Sequence, residues 1–437
     1  MALADIFKKT RWLSLAGLVA LGASTSIGCS AAVTEEEDIE EGVSTDDITQ
    51  LDHTKVKRQS IGNCWLYATA SWVEALNKRS TGAEANVSES YWTYWHWFEQ
   101  LANGRSATEI STGGSYGTSA GLIDRYGIML EKDFIPAESE SEMSGRQSSA
   151  LNAVNESLKN GALKSILPER DATVRRTKIR AELDKAWGLD AATITKLNNV
   201  FGPSVSRTLD KSYTRRQPNN NIIRARDFDA ALFDFRTNAV KKVKLQDAIG
   251  TGSSWSRTGT FAFHEENYPS SVEGRRKFQI AVQKSLHASI PVIVSWKVDF
   301  NALAQNSQFS KEELDRRGPG RQGGHMTVMD DYQVKLVDGT VLKAGQPAAP
   351  DLLTKALDPK ATVEFFRVKN SWGALRPDRW NEAAKPGYHD LMMSYLNGPI
   401  KECTEKNGTS DPTDCPRTVT PWWDAVLPAG IGTDIGF

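Results

Sequence analysis

A single cysteine at the start of an apolar helical run is the feature that most constrains this chain. Within residues 58–72, Cys64 directly follows the turn-forming pair Gly62 and Asn63, and the run after it predicts a helix that ends near Lys78. A thiol at a helix N-terminus faces unpaired backbone N–H groups and the positive end of the helix dipole, and both favour the thiolate. The stretch therefore predicts a nucleophilic cysteine with a lowered pKa, which needs a base.

Two later stretches offer a base and a group to orient it. His325 begins an apolar, strand-like run in residues 323–329, and Asn370 ends another strand in residues 365–373. Each residue alone has a structural explanation, because a free Cys is usually a small buried hydrophobe and an Asn is a common turn residue. A His before an apolar run is likewise more often structural. In the order Cys, His, Asn the three indicate instead a nucleophile, its base and an orienting group.

This combination resembles the papain superfamily of cysteine peptidases. The chain order matches that family, as do Gln59 upstream of the Cys, Trp65 after it and the Asn-Ser-Trp-Gly signature that begins at Asn370. The resemblance implies that Cys64 attacks a peptide or amide carbonyl to form a thioester. It also implies that His325 takes the thiol proton and later gives it to the leaving amine, while the Asn370 side chain fixes the imidazole tautomer.

The same resemblance implies two supporting roles. The Gln59 side-chain amide and the Cys64 backbone N–H would stabilise the developing oxyanion. Trp372 would shield the hydrogen bond between Asn and His from water. Gln59 stands one residue closer to the Cys than is usual in the family, which predicts a shortened loop or a displaced oxyanion donor.

A glycine pair supplies candidates for substrate binding. Gly113 and Gly114 lie where papain-like enzymes line the cleft with Gly-Gly, because residues without Cβ let a substrate backbone approach closely. The alternative is a simple loop. Trp65 is a third substrate-binding candidate.

The long interval between Cys64 and His325 indicates a large insertion, and the chain is most similar to the bleomycin hydrolase and aminopeptidase C branch. The resemblance implies an α+β, papain-like two-lobe fold, with Cys on a helical lobe and His and Asn on an antiparallel β lobe. Residues 137–272 form the insertion, which we expect to be mostly helical and to lie beside or over the cleft. In that branch the C-terminal tail restricts the enzyme to aminopeptidase action, so residues 429–437 predict a modest preference for free N-termini.

Residues 87–98 predict a second helix, capped by Ser88. Its aromatic side chains recur at i, i+3, i+4 and i+7, which places them on one helix face. We expect this face to pack in the core rather than to bind a ligand. Its members are Tyr91, Tyr94, Trp95 and Phe98.

The N-terminal region predicts export. Residues 1–28 have basic residues followed by an apolar run, as in a secretory signal, and small residues before Cys29 resemble a bacterial lipobox. Cys29 would then be acylated and would anchor the protein to a membrane, with Ser30 favouring the outer membrane; an ordinary cleaved signal is the alternative. Residues 29–50 form an acidic tether that cannot bury a core, and residues 51–437 form the folded peptidase domain.

The remaining cysteines agree with an oxidising compartment. Once Cys29 and Cys64 are assigned, Cys403 and Cys415 remain, and they flank a polar, turn-rich loop that a disulfide could close. Two free thiols are the alternative. We find no zinc-type spacing and expect no metal or cofactor.

The composition excludes one class of partner and leaves two other functions open. With a net charge of −1 and no basic stripe, nothing indicates nucleic-acid binding. A transglutaminase-like enzyme could share the Gly-x-Cys-Trp element, although its triad normally ends in Asp where Asn370 stands. The other alternative is a catalytically inactive papain-like lipoprotein that binds a partner. An oligomer is implied by the resemblance alone.

Overall fold

The computed structural model describes residues 54–105, 108–141, 143–212, 221–234, 237, 239–249, 263–374, 385–406 and 409–431. The predicted signal, Cys29, the acidic tether and residues 432–437 of the C-terminal tail lie outside these ranges. Among the helices that the ranges contain, none combines the length and the apolar character needed to cross a membrane.

Helices fill most of the first half of the described chain, and nearly all the strands are in the second half. The helices are α1 (Cys64–Thr81), α2 (Glu89–Ala102), α3 (Tyr116–Tyr126), α4 (Glu131–Phe134), α5 (Gly145–Asn160), α6 (Ala162–Ile166), α7 (Ala172–Ala186), α8 (Ala191–Phe201), α9 (Leu209–Ser212), α10 (Leu245–Ile249), α11 (Val272–His287), α12 (Lys311–Arg317), α13 (Pro350–Ala356) and α14 (Met393–Leu396). The strands are β1 (Ile128–Met129), β2 (Ile222–Ile223), β3 (Asp229–Asp234), β4 (Ala239–Lys244), β5 (Phe263–Asn267), β6 (Val292–Asp299), β7 (Gln308–Phe309), β8 (Gln322–Lys335), β9 (Val341–Leu342), β10 (Thr362–Lys369), β11 (Tyr388–Met392), β12 (Ile400–Glu402), β13 (Glu405–Lys406), β14 (Thr409–Ser410), β15 (Arg417–Val419) and β16 (Trp422–Pro428). The fold class is α+β.

Helix α2 is the aromatic centre of the helical half. Its N-cap is Ser88, whose side chain accepts from the Tyr91 backbone N–H. The predicted aromatic face is buried, and the Trp95 ring stacks on Tyr126 with 4.1 Å between ring centroids. The prediction that this face packs in the core is therefore confirmed.

The range predicted as an insertion contains more than helices. Helices α5 and α7 pack against one another, and α7 also packs on α2. Strands β3 and β4 form an antiparallel hairpin that the sequence did not predict. The hairpin lies on α1, where the Asn77 side chain donates to the Asp229 carbonyl over 2.7 Å.

The sheet half is one mixed sheet with strand order β5-β16-β6-β8-β10-β11-β7, and β9 pairs with β8. Neighbouring strands are antiparallel except β11 and β7. Its two faces belong to different cores. Ile293, Val328 and Val426 pack with the side chains of the helical half, whereas Val294 and Trp296 pack on the opposite side, which α11 covers.

A short N-terminal segment connects the two halves. The Gln59 N–H donates to the Ser371 carbonyl over 2.8 Å, and the Gly373 N–H donates to the Lys57 carbonyl over 3.1 Å. Between these two hydrogen bonds, Arg58 forms an isolated antiparallel β-bridge with Trp372. Residues 57–59 are therefore fixed to the loop that follows β10, although more than 300 residues separate them along the chain.

Buried charges anchor this segment to the helical half. The Lys57 ammonium lies 2.9 Å from Glu89, 3.5 Å from Glu131 and 3.6 Å from Glu74. Burial alone would lower the pKa of Lys57, but the three carboxylates raise it above its usual value. Lys57 therefore stays charged, and it holds the segment against α1 and α2.

Cys403 and Cys415 form a disulfide, as the sequence predicts. The bridge encloses the β13–β14 hairpin. This hairpin contacts β8 at its start, where the Ser410 hydroxyl accepts from the Gln322 N–H over 2.7 Å.

Candidate active site

Cys64 is the first residue of α1, and its thiol lies among backbone donors. The N-cap, Asn63, makes no side-chain capping bond, and its amide nitrogen donates to Thr93 and Gln147 inside the helical half. The N–H groups of Cys64 and Trp65 both donate to Sγ. A third backbone donor, the N–H of Met326, comes from the sheet half.

The pKa of this thiol moves in the direction opposite to the prediction. Burial raises the pKa of Cys64 to about 11, and this effect outweighs the three backbone N–H groups that lower it. The prediction considered the helix N-terminus alone. It could not include the sheet that packs against the sulfur at Met326, because that sheet comes from the far end of the chain.

His325 and Asn370 lie side by side on neighbouring strands. His325 is on β8, where it is opposite Trp296 of β6. Strand β10 pairs with the other edge of β8, and Asn370 directly follows β10. The His325 Nε2 atom lies 2.8 Å from Asn370 Oδ1. Since Nε2 is engaged there, proton exchange with a nucleophile would use Nδ1.

A second histidine, His389, lies at the nitrogen end of the Asn370 side-chain amide. The Ser371 N–H donates to Asn370 Oδ1 over 2.7 Å, which fixes the oxygen end of the amide toward His325. The amide nitrogen therefore faces Nδ1 of His389, at 3.3 Å. His389 is on β11 and is 1% exposed. The sequence analysis did not select it, since only the pairing of β10 with β11 brings it to Asn370.

Trp372 covers the imidazole of His325. Its ring lies parallel to that of His325, with 4.7 Å between centroids and 15° between planes. His325 is 5% exposed and Asn370 is 2% exposed. Water therefore has little access to the hydrogen bond between them.

The Met326 backbone joins the two sides of the site. Its N–H donates to Cys64 Sγ, so the sulfur lies against the residue that follows His325. Its side chain packs with the core of the helical half. The structure thus brings Cys64, His325 and Asn370 together where the helical half meets the sheet.

Gln59 lies beside the same loop. Its Oε1 accepts from the Ser371 hydroxyl over 2.6 Å, and its Nε2 donates to the Ile61 carbonyl over 2.7 Å. An amide nitrogen carries two hydrogens, so Nε2 keeps one beyond the bond to Ile61. The bond to Ile61 closes the loop between Gln59 and Cys64, which is the loop that the sequence predicts to be short.

The predicted substrate-binding residues separate into two groups. Gly113 and Gly114 are exposed, whereas Trp65 is 1% exposed. A Cβ at Gly114 would lie 2.5 Å from the Trp65 ring, so this glycine is required for the close packing. The indole N–H of Trp65 donates to the Thr112 carbonyl over 2.9 Å. Trp65 therefore packs on the inner side of the Gly113 and Gly114 segment. Its burial corrects the prediction that Trp65 itself contacts the substrate.

His96 also supports the glycine segment. It is hydrogen-bonded to the backbone of Gly113 and Ser111, and its ring packs edge-on against Trp65 with 5.0 Å between centroids. Burial lowers the pKa of His96 to about 4, so it is neutral at pH 7. Its position on α2, within an aromatic run, gave no sequence signal for this contact.

No metal site accompanies these residues in the part of the chain that the structure describes, where no three His, Cys, Asp or Glu side chains form a group that could hold an ion.

Comparisons with known proteins give a likeness in structure but none in sequence. No family model and no curated protein matches the chain. Solved structures similar to it include PepW from Lactobacillus rhamnosis HN001, with 13% identity, 88% of this chain and 82% of that chain covered, and a TM-score of 0.43. Xylellain, a cysteine protease from Xylella fastidiosa, has 11% identity, coverages of 87% and 85%, and a TM-score of 0.34. The Carica candamarcensis cysteine protease CMS1MS2, in complex with E-64, has 13% identity, coverages of 86% and 92%, and a TM-score of 0.29.

Proposed function

We propose that this chain is a papain-like cysteine peptidase that hydrolyses peptide bonds with Cys64 as the nucleophile. One observation carries the proposal. The thiol lies against the backbone of Met326, the residue after His325, and the His325 imidazole is held by Asn370 and covered by Trp372. A nucleophile, a base and a group that orients the base are the parts that covalent acyl transfer needs.

The first step is a proton transfer, because a thiol with a pKa of about 11 is neutral at pH 7. His325 Nδ1 takes the proton from Cys64, and Asn370 stabilises the imidazolium through its bond to Nε2. The thiolate attacks the carbonyl carbon, and the carbonyl π electrons move to oxygen. The Cys64 N–H and the second hydrogen of Gln59 Nε2 would donate to this oxyanion.

Collapse of the tetrahedral intermediate completes the cycle. The C–N bond breaks, the amine leaves with the proton from His325, and a thioester on Cys64 remains. Water then attacks the thioester after giving a proton to His325. The C–S bond breaks and the acid is released. The proton on His325 then returns to the sulfur and restores the thiol.

Covalent labelling tests this proposal. A neutral peptidyl vinyl sulfone at pH 7 should label Cys64 in residues 51–437, and mass spectrometry should locate the adduct. Cys64→Ala should abolish labelling and His325→Ala should strongly reduce it. Glu273→Gln on the exposed face of α11 is a matched control and should label like the wild type. Absence of labelling in a protein shown to be folded by circular dichroism would contradict the proposal.

We also propose that the enzyme has a modest preference for substrates with free N-termini. The support is the predicted role of residues 429–437 as a C-terminal tail near the cleft. Deletion of these residues should lower the ratio of aminopeptidase to endopeptidase activity. An unchanged ratio would show that the tail sets no such preference.

We propose further that the protein is exported and anchored to the outer membrane through an acylated Cys29. The support is the lipobox-like sequence before Cys29 and the acidic tether after it. Detergent partitioning and mass spectrometry of the mature N-terminus test this. Cys29→Ser should yield a form that no longer partitions with detergent, and an unacylated wild type would refute the anchor.

One observation favours a second function, in which the chain binds a partner without catalysis. Burial keeps the thiol protonated, and one hydrogen of Gln59 Nε2 is already bonded to Ile61. A protein that folds, fails to react with the vinyl sulfone and still binds peptides would support this alternative.

A further inference from the structure

The sheet face that meets the helical half continues beyond the buried core. Val328 and Ile293 are register partners within that core. Two residues further along the same face, Met326 pairs with Ser295, and Met326 is the residue whose N–H donates to Cys64 Sγ. The next pair on this face is Gly324 and Lys297. The face therefore forms one wall of the site.

A β-bulge in β16 turns a tryptophan onto this wall. Trp422 pairs with Trp296 and Asp424 pairs with Ser295, so Trp423 is the extra residue between two consecutive pairs. Trp422 is 2% exposed and packs in the core of the sheet half, whereas Trp423 is 41% exposed. A Cβ at Gly324 would lie 3.1 Å from the Trp423 ring, so the indole packs on the residue before His325.

Next to this tryptophan is a carboxylate with an unused oxygen. Asp424 accepts from the hydroxyl and the N–H of Ser295, but its Oδ1 atom is buried and has no hydrogen-bond partner. Burial raises the pKa of Asp424. A buried carboxylate oxygen that has lost water without gaining a donor is costly, so its retention requires an explanation.

A second carboxylate lies on the same face. Glu265 of β5 pairs with Val426, two residues from Asp424, and it accepts from the Tyr116 N–H at the start of α3. Burial raises the pKa of Glu265, and the Asp424 charge raises it further. The two carboxylates thus lie between the wall that holds Met326 and the helix that follows the Gly113 and Gly114 segment.

No cation of the described chain neutralises this pair, because neither carboxylate forms an ion pair with a described residue. Lys297 is on the same sheet face, but its ammonium binds Glu402 at 2.6 Å. The site therefore has two carboxyl groups, one unused acceptor and an exposed aromatic ring. These are the elements that bind a cationic group, through cation–π contact and charge-assisted hydrogen bonds.

We propose that Trp423, Asp424 and Glu265 form a binding site for a positively charged nitrogen group of the peptide substrate. The nitrogen group would pair with the carboxyl groups of Asp424 and Glu265, while its carbon chain or guanidinium plane would lie on the indole. The inference rests on the proposed peptidase function and specifies its substrate class. The cation could be an Arg or Lys side chain or the free N-terminus, and the experiment separates these sources.

The experiment compares matched peptides that differ only in charge. N-acetylated fluorogenic peptides carry Arg or its neutral isostere citrulline, scanned over the three residues before the cleaved bond. At one position kcat/KM should be at least 10-fold higher for Arg than for citrulline. Asp424→Asn and Glu265→Gln should each reduce that ratio toward 1, and Trp423→Leu should reduce it about 3-fold. The exposed control Glu273→Gln should keep the ratio.

A second pair of peptides tests the N-terminus as the source. These peptides contain no basic residue and have either a free or an acetylated N-terminus. A preference for the free form that Asp424→Asn abolishes would assign the site to the N-terminal ammonium. The proposal is wrong if neither Arg nor a free N-terminus is preferred. It is also wrong if Asp424→Asn and Glu265→Gln both keep the preference of the wild type.

Equilibrium binding separates this proposal from the peptidase function. Cys64→Ala protein should bind the preferred Arg peptide at least 10-fold more tightly than its citrulline counterpart, measured by fluorescence anisotropy. Adding Asp424→Asn should remove the difference. This result would support the site even if Cys64 does not react with the vinyl sulfone, and equal affinities alongside normal labelling would overturn the site alone.

Discussion

The two halves of the molecule position their parts of the site by different means. The helical half places Cys64 locally, since the thiol is on the first residue of α1 and the N–H groups of Cys64 and Trp65 donate to it. The sheet half places His325, Asn370 and His389 through the register of three strands, β8, β10 and β11. The position of Cys64 therefore depends on a few neighbouring residues, whereas the position of His325 depends on long-range pairing. Variants can test each dependence separately.

The largest effect is expected where the halves are joined. Lys57→Met should lower the free energy of unfolding by about 3–5 kcal/mol, because it leaves Glu74, Glu89 and Glu131 buried without their cation. Urea unfolding followed by tryptophan fluorescence measures this loss. Lys78→Met removes an ion pair with the exposed Glu84 and should cost about 0.5 kcal/mol. Equal losses for the two variants would show that the buried charges do not anchor the segment.

Replacing His325 should reveal the pKa that the surrounding protein alone gives to the Cys64 thiol. In His325→Ala, alkylation of Cys64 by iodoacetamide should follow a pKa of about 11, because burial then determines the titration. At pH 7 the rate should be about 300-fold below that of a free thiol with a pKa of about 8.5. A pH profile of the alkylation rate checks this. A profile centred near pH 8.5 would mean that the thiol is not shielded.

Breaking the sheet side should reduce catalysis without removing the nucleophile. Asn370→Ala should lower kcat about 100-fold, because His325 loses the partner at Nε2 that fixes its tautomer. His389→Phe should lower kcat about 10-fold through Asn370, and His389→Gln, which keeps a polar group there, should recover part of the loss. Steady-state kinetics with the preferred peptide measures both. If KM alone rises in His389→Phe, the residue has no positioning role.

The smallest expected effect is on the pH dependence of the free energy of unfolding, to which one histidine in each half contributes. Burial lowers the pKa of His96 in the helical half and of His287 in the sheet half to about 4 each. The folded state then binds fewer protons than the unfolded state between about pH 4 and 6.5, so each histidine removes stability as the pH falls through this range. At pH 5 the loss is about 2 kcal/mol per histidine.

Replacement by glutamine removes each titration in turn. His287→Gln and His96→Gln should each reduce the loss of unfolding free energy between pH 7 and pH 5 by about 2 kcal/mol. Urea unfolding at both pH values measures it. His287 contacts the Tyr332 hydroxyl at 2.6 Å, and glutamine can keep a polar contact there. An unchanged pH dependence in both variants would show that neither histidine is buried as neutral imidazole.

The parts of the site that local sequence determines could be predicted. The start of α1 at Cys64, the Ser88 cap and the strand that ends before Asn370 all follow from turn residues, caps and periodicity over short windows. The disulfide between Cys403 and Cys415 followed from the assignment of the other two cysteines.

The parts that depend on distant pairing could not be predicted. The pKa of Cys64 rises through burial, to which packing against a sheet from the other end of the chain contributes. His389 reaches Asn370 only through the register of β11, and Trp423 turns outward only because β16 contains a bulge. No window of the sequence contains these relations, since each joins segments that are far apart in the chain.

The segment at residues 57–59 has a consequence for the order in which the candidate site is assembled during synthesis. Gln59 leaves the ribosome early, but its backbone partner Ser371 is made more than 300 residues later. Non-local contacts of this kind form late, because the loop between them must first be closed. A nascent chain that already contains Cys64 and the whole helical half therefore lacks His325 and has no fixed position for Gln59. In the proposed peptidase, the thiol would be without its base and its oxyanion donor until most of the chain has been made.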